Sequence, residues 1–191
     1  FIDLVNPSKD DIIIDVGSGS GDLVLEIQKK YYDTKIDVVD LNEEMLNEGK
    51  KRIKKGNFNF YLQNAENLNF ESNTYDKYLI SFCLRNITNI DQALKEAFRV
   101  LKPGGRFMCL EFSKIDNELL NYLYKEYSKT IPLIGKLIVG SDKPYKYLIE
   151  SIEKFYNQEQ LAELILDNGF SNVEFRNVSN GISAIHSGWK I

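Results

Sequence analysis

Short apolar runs alternate with amphipathic segments along the first part of the chain. The run Asp11–Val16 (DIIIDV) is rich in β-branched residues and leads into glycines, which is typical of a buried parallel strand. Leu23, Val24 and Ile27 then recur at helical spacing, and Pro103-Gly104-Gly105 is a later turn signal. The same criteria predict further strands at Lys35–Asp40, Phe58–Leu62, Tyr75–Phe82 and Arg106–Phe112, and helices at Gly21–Tyr31, Asn42–Ile53 and Ile90–Leu101. This alternation predicts a parallel sheet with helices on both faces.

The last part of the chain has a different pattern. Gln158–Asn168 is predicted to be a helix that ends at Gly169, and apolar runs follow at Val173–Val178 and Gly181–Ser187. Ser179-Asn180-Gly181 between these runs contains an Asn-Gly pair, which is a strong hairpin signal. We therefore predict an α/β fold whose seven-stranded, mostly parallel sheet ends in an antiparallel hairpin. Such a sheet resembles the Rossmann-like sheet of class I S-adenosylmethionine-dependent methyltransferases more than that of dehydrogenases.

The length of 191 residues fits one domain, so we expect residues 1–191 to form a single unit. Asp116–Glu153 interrupts the alternation with many Tyr, Leu and Ile residues. Because this insertion follows a strand at the carboxyl edge of a parallel sheet, where ligands bind, we predict a lid or substrate-binding segment. An additional packing layer is the alternative. The chain starts at Phe1 and enters its first strand almost at once, so we expect it to be a fragment whose upstream segments, including any targeting peptide, are missing.

Composition excludes several classes of function. The net charge is -4 with a pI near 5.2, which gives no electrostatic footprint for nucleic acid. Cys83 and Cys109 lie within apolar runs and have no metal-binding spacing, so we expect two reduced, buried thiols, no disulfide and no metal. No apolar run approaches the length of a membrane span.

A glycine-rich motif, Asp15–Gly21 (DVGSGSG), directly follows the first predicted strand and opens a helix. Gly17, Gly19 and Gly21 have no Cβ, which permits the backbone to approach a ligand closely, and the N–H groups at the helix start can face that ligand. A dinucleotide site would need its third glycine at position 22, where this chain has Asp22. The G-x-G-x-G spacing therefore favours S-adenosylmethionine, which has no pyrophosphate.

Polar residues follow the next two predicted strands at the corresponding places. Asp40 ends the second strand, where a carboxylate can accept hydrogen bonds from both ribose hydroxyls of a cofactor. The alternative is an acid that favours the dipole of the next helix, which either Asn42 or the preceding loop caps. After the third strand, Asn64 can bond an adenine amino group and Ala65 offers its backbone N–H. With the glycine motif, these residues predict a cofactor site at one edge of the sheet.

Four runs of the sequence resemble the ubiquinone/menaquinone biosynthesis C-methyltransferase family. Arg99–Ser113 (RVLKPGGRFMCLEFS) and Ser81–Thr88 (SFCLRNIT) are similar to signatures of the family. Asn89–Ala97 and the ending Gly181–Gly188 (GISAIHSG) are similar to its mitochondrial members. The resemblance covers essentially the whole chain from Asp11 onward.

This resemblance implies an S-adenosylmethionine-dependent enzyme that methylates a carbon of a reduced polyprenyl benzoquinol ring. Together with the glycine motif it gives the predicted cofactor-binding set: Asp15, Gly17, Gly19, Ser20, Gly21, Asp40, Asn64, Ala65 and Ser81. The chain departs from the family pattern at Cys83, which replaces a glycine and narrows the space beside the site. We also expect the family's N-terminal segment to be missing from this sequence, which starts at Phe1.

Arg85 and Asn86 are the candidate catalytic residues. A sulfonium is already an activated methyl donor, so the protein must position the ring and make its carbon nucleophilic by loss of a hydroxyl proton. Arg85 after the fourth strand could stabilise a phenolate or orient a water molecule as base, with Asn86 assisting by hydrogen bonding. The alternative is a structural ion pair of Arg85 with Glu111 or another acid. We expect His186, the only histidine, to be structural.

Two other functions remain open at this point: methylation of a demethylmenaquinol, and a non-catalytic scaffold that retains the cofactor fold. The resemblance also implies partners beyond the quinol substrate, namely a membrane surface bound peripherally, other quinone-biosynthesis proteins and a second copy of the chain. The mitochondrial-like runs predict a location on the matrix side of the inner mitochondrial membrane.

Overall fold

Seven strands form one mixed sheet in the computed structural model, which describes residues 1–31, 33–114 and 143–191. The strands are β1 (Ile12–Val16), β2 (Lys35–Asp40), β3 (Asn57–Leu62), β4 (Tyr75–Ser81), β5 (Leu101–Phe112), β6 (Ser171–Val178) and β7 (Ser183–Trp189). The helices are α1 (Ile2–Val5), α2 (Asp22–Lys30), α3 (Glu43–Arg52), α4 (Ile90–Val100), α5 (Lys143–Lys154) and α6 (Gln158–Asp167), with 3₁₀ turns at Leu84–Asn86 and Ser179–Gly181. These bounds agree with the predicted elements to within a few residues at most positions.

The order of strands across the sheet is β3-β2-β1-β4-β5-β7-β6. Strands β1 to β5 pair in parallel, whereas β7 pairs antiparallel with both β5 and β6. The Asn-Gly signal of the hairpin is confirmed, because Ser179 and Asn180 have positive φ angles of 51° and 57°. The structure therefore confirms the predicted mostly parallel sheet with an antiparallel hairpin at its end.

Helices cover both faces of the sheet over two separate apolar cores. Ile13 and Leu79 point into the core on one face, whereas their chain neighbours Ile14 and Ile80 point into the core on the other. This alternation is the two-residue period of a strand that is buried on both sides. Helices contribute Val5 (α1), Val24 (α2) and Leu46 (α3) to the first core, and Leu94 (α4) and Ile165 (α6) to the second.

One predicted boundary differs from the structure. We expected Pro103-Gly104-Gly105 to separate α4 from a strand that begins at Arg106, but β5 begins already at Leu101. The pairing with β4 shifts here, because Tyr75 is opposite Leu101 while Lys77 is opposite Arg106. The glycines are held by hydrogen bonds with Lys190 at the end of β7, from Gly104 N–H and to the Gly105 carbonyl oxygen. The turn signal therefore marks a bulge inside the strand.

The predicted insertion Asp116–Glu153 lies mostly outside the described residues. Its last part forms α5, which contacts the 3₁₀ turn Leu84–Asn86. The expected lid role of the residues that precede α5 stays a prediction.

Asn42, which follows β2 closely, caps α3. We predicted either Asn42 or the preceding loop as the cap. The side-chain oxygen of Asn42 accepts hydrogen bonds from the backbone N–H groups of Glu44 (2.9 Å) and Met45 (3.1 Å).

We expect Asn42→Ala to lower the free energy of unfolding by about 1 kcal/mol, because two N–H groups at the helix start lose their acceptor. Asn42→Ser keeps an acceptor and should cost much less. Urea unfolding of both variants tests this, and equal losses would contradict the capping role.

Candidate functional site

The carboxyl ends of β1, β2, β3 and β4 lie at one edge of the sheet, because these strands are neighbours and run in parallel. The predicted site residues lie at or directly after these four ends. They are Asp15, Gly17, Gly19, Ser20 and Gly21 at β1, Asp40 at β2, Asn64 and Ala65 at β3, and Ser81, Arg85 and Asn86 at β4. The sheet topology therefore brings the whole predicted set to a common edge.

All three glycines of the motif need the left-handed conformation, with φ angles of 68°, 57° and 79° at Gly17, Gly19 and Gly21. Side chains also pack directly against them. A Cβ at Gly17 would overlap the thiol of Cys83, and one at Gly21 would overlap the side chain of Ile53. A Cβ at Gly19 would lie 3.3 Å from Cε of Met45. Backbone conformation and close packing thus require glycine here, in addition to the ligand approach that we expected.

The carboxylate of Asp40 is fixed against the glycine motif. Its Oδ2 accepts a hydrogen bond from Gly19 N–H at 2.7 Å, and its Oδ1 accepts one from Asn42 N–H at 2.8 Å. Each carboxylate oxygen has two lone pairs, so each retains capacity for a further donor. The backbone contributes as well, since the carbonyl oxygen of Val39 accepts from Gly17 and Ser18 N–H. Asp40 therefore faces the turn in a defined orientation.

Asp15 lies beneath the same turn and is 1% exposed. Within the described residues its Oδ2 has no hydrogen-bond partner, and the same holds for Oγ of Ser18. Burial is the main cause that raises the pKa of Asp15 to about 7, while the neighbouring hydroxyl of Ser18 opposes this rise and the charge of Asp40 adds to it. The structure thus holds a carboxyl group that would become ionised near neutral pH if a cation approached.

Three predicted cofactor residues already have partners within the protein. Oγ of Ser20 accepts from Nη1 of Arg52 at 2.6 Å, and Oδ1 of Asn64 accepts from Glu66 N–H at 3.0 Å. The Ala65 side chain is buried in the apolar core, so only its backbone could serve a ligand. The carbonyl oxygen of Asp40 accepts a hydrogen bond at 3.1 Å from the N–H of Gln63, which precedes Asn64 in the chain.

The end of β4 leads from Ser81 through a strained residue into the candidate catalytic turn. Phe82 has a φ angle of 52°, in a region that residues with a Cβ rarely adopt, and it is 39% exposed. Next comes Cys83, whose thiol covers Gly17. Burial raises the pKa of Cys83 to about 12, so its thiol stays protonated at neutral pH. The packing of this thiol against Gly17 confirms that Cys83 occupies the space beside the glycine motif.

Arg85 forms an ion pair with Glu111 at the end of β5. This pair was the structural alternative to a catalytic role for Arg85. Nη1 lies 2.8 Å from Oε1 of Glu111, and the two side chains are 8% and 1% exposed. Oε2 of Glu111 also accepts from the backbone N–H of Arg85 at 3.2 Å. Burial raises the pKa of Glu111, and the charge of Arg85 opposes this rise. The guanidinium also lies over the ring of Phe112, 5.0 Å from its centroid.

Helix α5 contacts both candidate catalytic residues. Nε of Arg85 donates to Oγ of Ser151 at 3.3 Å, and the hydroxyl of Tyr147 donates to Oδ1 of Asn86 at 3.1 Å. Tyr147 and Ser151 are four residues apart, so they share one face of the helix.

Other predictions concern residues away from this edge. His186 is 2% exposed in β7, with Nε2 2.8 Å from the carbonyl oxygen of Gln158, and burial lowers its pKa. It is therefore a buried neutral side chain, as expected for a structural role. Among the described residues, no three His, Cys, Asp or Glu side chains are grouped so that they could hold a metal ion. Nor does any helix in these residues have the length and apolarity needed to cross a membrane.

Comparison with known proteins identifies the relatives of this chain. The profile of the ubiE/COQ5 methyltransferase family matches residues 1–190. A protein of Brucella abortus (strain S19) named ubiquinone/menaquinone biosynthesis C-methyltransferase UbiE is 47% identical over 184 residues, covering 93% of this chain and 68% of the relative. A protein of the same name from Rhizobium meliloti (strain 1021) is 45% identical, with coverage of 97% and 74%.

Solved structures share the fold. A methyltransferase from Thermotoga maritima superposes with a TM-score of 0.71 at 18% identity, covering 100% of this chain and 86% of the other. A second from Aquifex aeolicus gives a TM-score of 0.68 at 18% identity, with coverage of 95% and 82%. Both are S-adenosylmethionine-dependent methyltransferases. The predicted class I methyltransferase fold is thereby confirmed.

The expected mitochondrial location was wrong, because these relatives are bacterial proteins. The position of the ending Gly181–Gly188 in the fold accounts for its similarity to mitochondrial members. Most of this run belongs to β7, where Ser183 to Gly188 are all buried. A run inside a core strand reflects packing within the sheet, which bacterial and mitochondrial proteins of one fold share, and it carries no information about compartment.

The buried carboxyl of Asp15 predicts a pH-dependent cost in stability. Its folded pKa of about 7 lies above the ordinary value of 3.8, so its contribution to stability is complete below pH 3.8 and is lost as the pH rises through 7. Asp15→Asn should therefore raise the free energy of unfolding at pH 8 by up to about 4 kcal/mol, with a smaller gain at pH 5.

Urea unfolding of the ligand-free protein at both pH values measures this difference. Asp10→Asn, at an exposed position before β1, is the matched control and should have little effect at either pH. An Asp15→Asn variant that is no more stable than the parent at pH 8 would show that the carboxylate has a compensating partner.

Proposed function

Because this chain belongs to the ubiE/COQ5 methyltransferase family, we propose that it transfers a methyl group from S-adenosylmethionine to a ring carbon of a reduced polyprenyl quinol. The family and the fold make it a methyltransferase. The names of its relatives include both ubiquinone and menaquinone, so two ring systems compete as substrate. We favour the benzoquinol ring of the ubiquinone branch, and the demethylmenaquinol ring is the second candidate.

The observation that supports the cofactor is the pair of carboxyl groups at the glycine motif. Asp15 lies buried below the turn, and Asp40 is held against it by Gly19 N–H. Charges interact strongly where water is excluded, so this edge favours a cationic ligand and disfavours a pyrophosphate. S-adenosylmethionine carries a sulfonium and an ammonium group, and its ribose hydroxyls match the remaining lone pairs of Asp40. The residues present therefore fit this cofactor.

The remaining predicted residues have corresponding roles in the proposal. Asn64 and the backbone of Ala65 would bind the adenine end, while Ser20 and Ser81 would border the rest of the cofactor. Ser20 and Asn64 would have to exchange their present partners or share them. That two of these side chains are already engaged makes Asp40 the residue on which binding depends most.

When bound, S-adenosylmethionine supplies an activated methyl group, and the chain's own residues must orient the ring and stabilise its oxyanion. Arg85 uses Nη1 and Nε for Glu111, the Phe82 carbonyl oxygen and Ser151. Its Nη2 has no hydrogen-bond partner among the residues described, so that nitrogen is the donor available to a ring oxygen. Because a guanidinium cannot act as a neutral base, we propose that Arg85 stabilises the oxyanion or orients a water molecule that takes the proton.

Asn86 would assist through its amide nitrogen. Tyr147 donates to its Oδ1, which leaves Nδ2 as the hydrogen-bonding atom for a ligand. A polyprenyl substrate further implies contact with a membrane surface and with other quinone-biosynthesis proteins. These partners and a homodimer stay predictions, as does the absence of a metal.

We expect Asp40→Ala to weaken S-adenosylmethionine binding by about tenfold or more, because charge-assisted hydrogen bonds to the ribose are lost. Isothermal titration measures the dissociation constant. The matched control is Asp10→Ala, an exposed acid before β1 at the opposite edge of the sheet, which should bind like the parent. An unchanged affinity for Asp40→Ala would sink the assignment, and a parent that shows no binding heat would favour a non-catalytic scaffold.

We expect Arg85→Ala to lower kcat for methyl transfer by about 100-fold or more, on the scale of losing one oxyanion donor. Cofactor affinity should stay within a few-fold of the parent, because Arg85 is proposed to act on the transition state. The assay is single-turnover methylation of short-chain benzoquinol and demethylnaphthoquinol substrates by the full-length gene product. Turnover that survives while cofactor affinity collapses would make Arg85 a binding or structural residue, and the faster of the two substrates identifies the branch.

A further inference from the structure

The carboxylate of Glu111 is engaged entirely with the candidate catalytic turn and its own strand end. It accepts from Nη1 of Arg85 at 2.8 Å, from the backbone N–H of Arg85 at 3.2 Å and from the backbone N–H of Phe112 at 2.8 Å. Two of these three donors belong to one residue, so the carboxylate fixes both the backbone and the side chain of Arg85. Such a double contact defines where the guanidinium charge lies.

Stability alone is a weak explanation for this pair. Both side chains are almost completely buried, and removing two charges from water offsets most of their mutual attraction. The pair also lies at the carboxyl edge of the sheet, beside the thiol of Cys83 that covers the glycine motif. The physical effect that remains is geometric, because a buried, hydrogen-bonded arginine cannot change rotamer without leaving Glu111 unpaired.

We propose that Glu111 is a positioning residue for methyl transfer, which holds the guanidinium of Arg85 so that Nη2 faces the ring oxygen. This inference rests on the proposed function. Ser151 of α5 holds Nε from the other side, so Glu111 and Ser151 together orient the plane of the guanidinium. A positioning residue acts only through the group that it holds, and this property separates it from a residue that supports the fold in general.

The test is a double-mutant cycle on kcat in the full-length gene product. Glu111→Gln keeps the side-chain volume but removes the charge, and it should lower kcat by about tenfold or more while KM for the quinol and cofactor affinity change little. In the Arg85→Ala background the same substitution should have almost no further effect on kcat. A general loss of structure would instead lower kcat by a similar factor in both backgrounds and would overturn the proposal.

Two further variants keep the result interpretable. Glu96→Gln is the matched control, because Glu96 forms a partly buried pair with Arg99 on α4 and should affect unfolding but leave kcat unchanged. If Glu111→Gln does not fold, Glu111→Asp retains the charge with a shorter side chain, and a kcat above one third of the parent would then overturn the proposal. An Arg85→Ala variant with full turnover refutes the role of Arg85 itself, whereas a slow Arg85→Ala with additive Glu111→Gln refutes only the positioning role.

Discussion

The central strands of the sheet are buried on both faces, and this constraint decides where polar chemistry can occur. Ile13 and Ile14 enter two different apolar cores, so the middle of β1 has no room for functional groups. Polar side chains that serve a ligand must therefore lie at or directly beyond the strand ends, where the chain leaves the sheet. Because β1 to β4 are parallel neighbours, four such ends share one edge, and residues far apart in sequence lie side by side.

Two buried carboxyl groups at this edge have opposite environments. Glu111 is neutralised by Arg85 and by two backbone N–H groups, which makes it part of a closed network. Asp15 has an oxygen without a partner in the described chain, and burial raises its pKa to about 7. In the proposed function, Asp15 and Asp40 would face the cationic cofactor, whereas Nη2 of Arg85 would face the ring oxygen at a neighbouring strand end.

Much of this arrangement could be predicted from local patterns. The strand Lys35–Asp40 was predicted with its observed bounds, and the Asn-Gly hairpin was predicted from three residues, because both depend on short-range chemistry. The Pro103-Gly104-Gly105 bulge could not be, since its hydrogen bonds come from Lys190 at the far end of the chain. Contacts of α5 with Arg85 and Asn86 depend likewise on tertiary packing. Resemblance to the family gave the candidate roles, which experiments on the individual residues must decide.

The isolation of Asp15 also has a consequence for how much of this protein a cell contains. A buried carboxyl group with a pKa of about 7 makes the ligand-free form easier to unfold as the pH rises through that value, and unfolded chains are the ones that proteases remove. A cofactor that binds only the native state would restore this stability in proportion to the logarithm of its concentration. The lifetime of the chain would then rise with the concentration of the methyl donor. Degradation would be fastest when that donor is scarce.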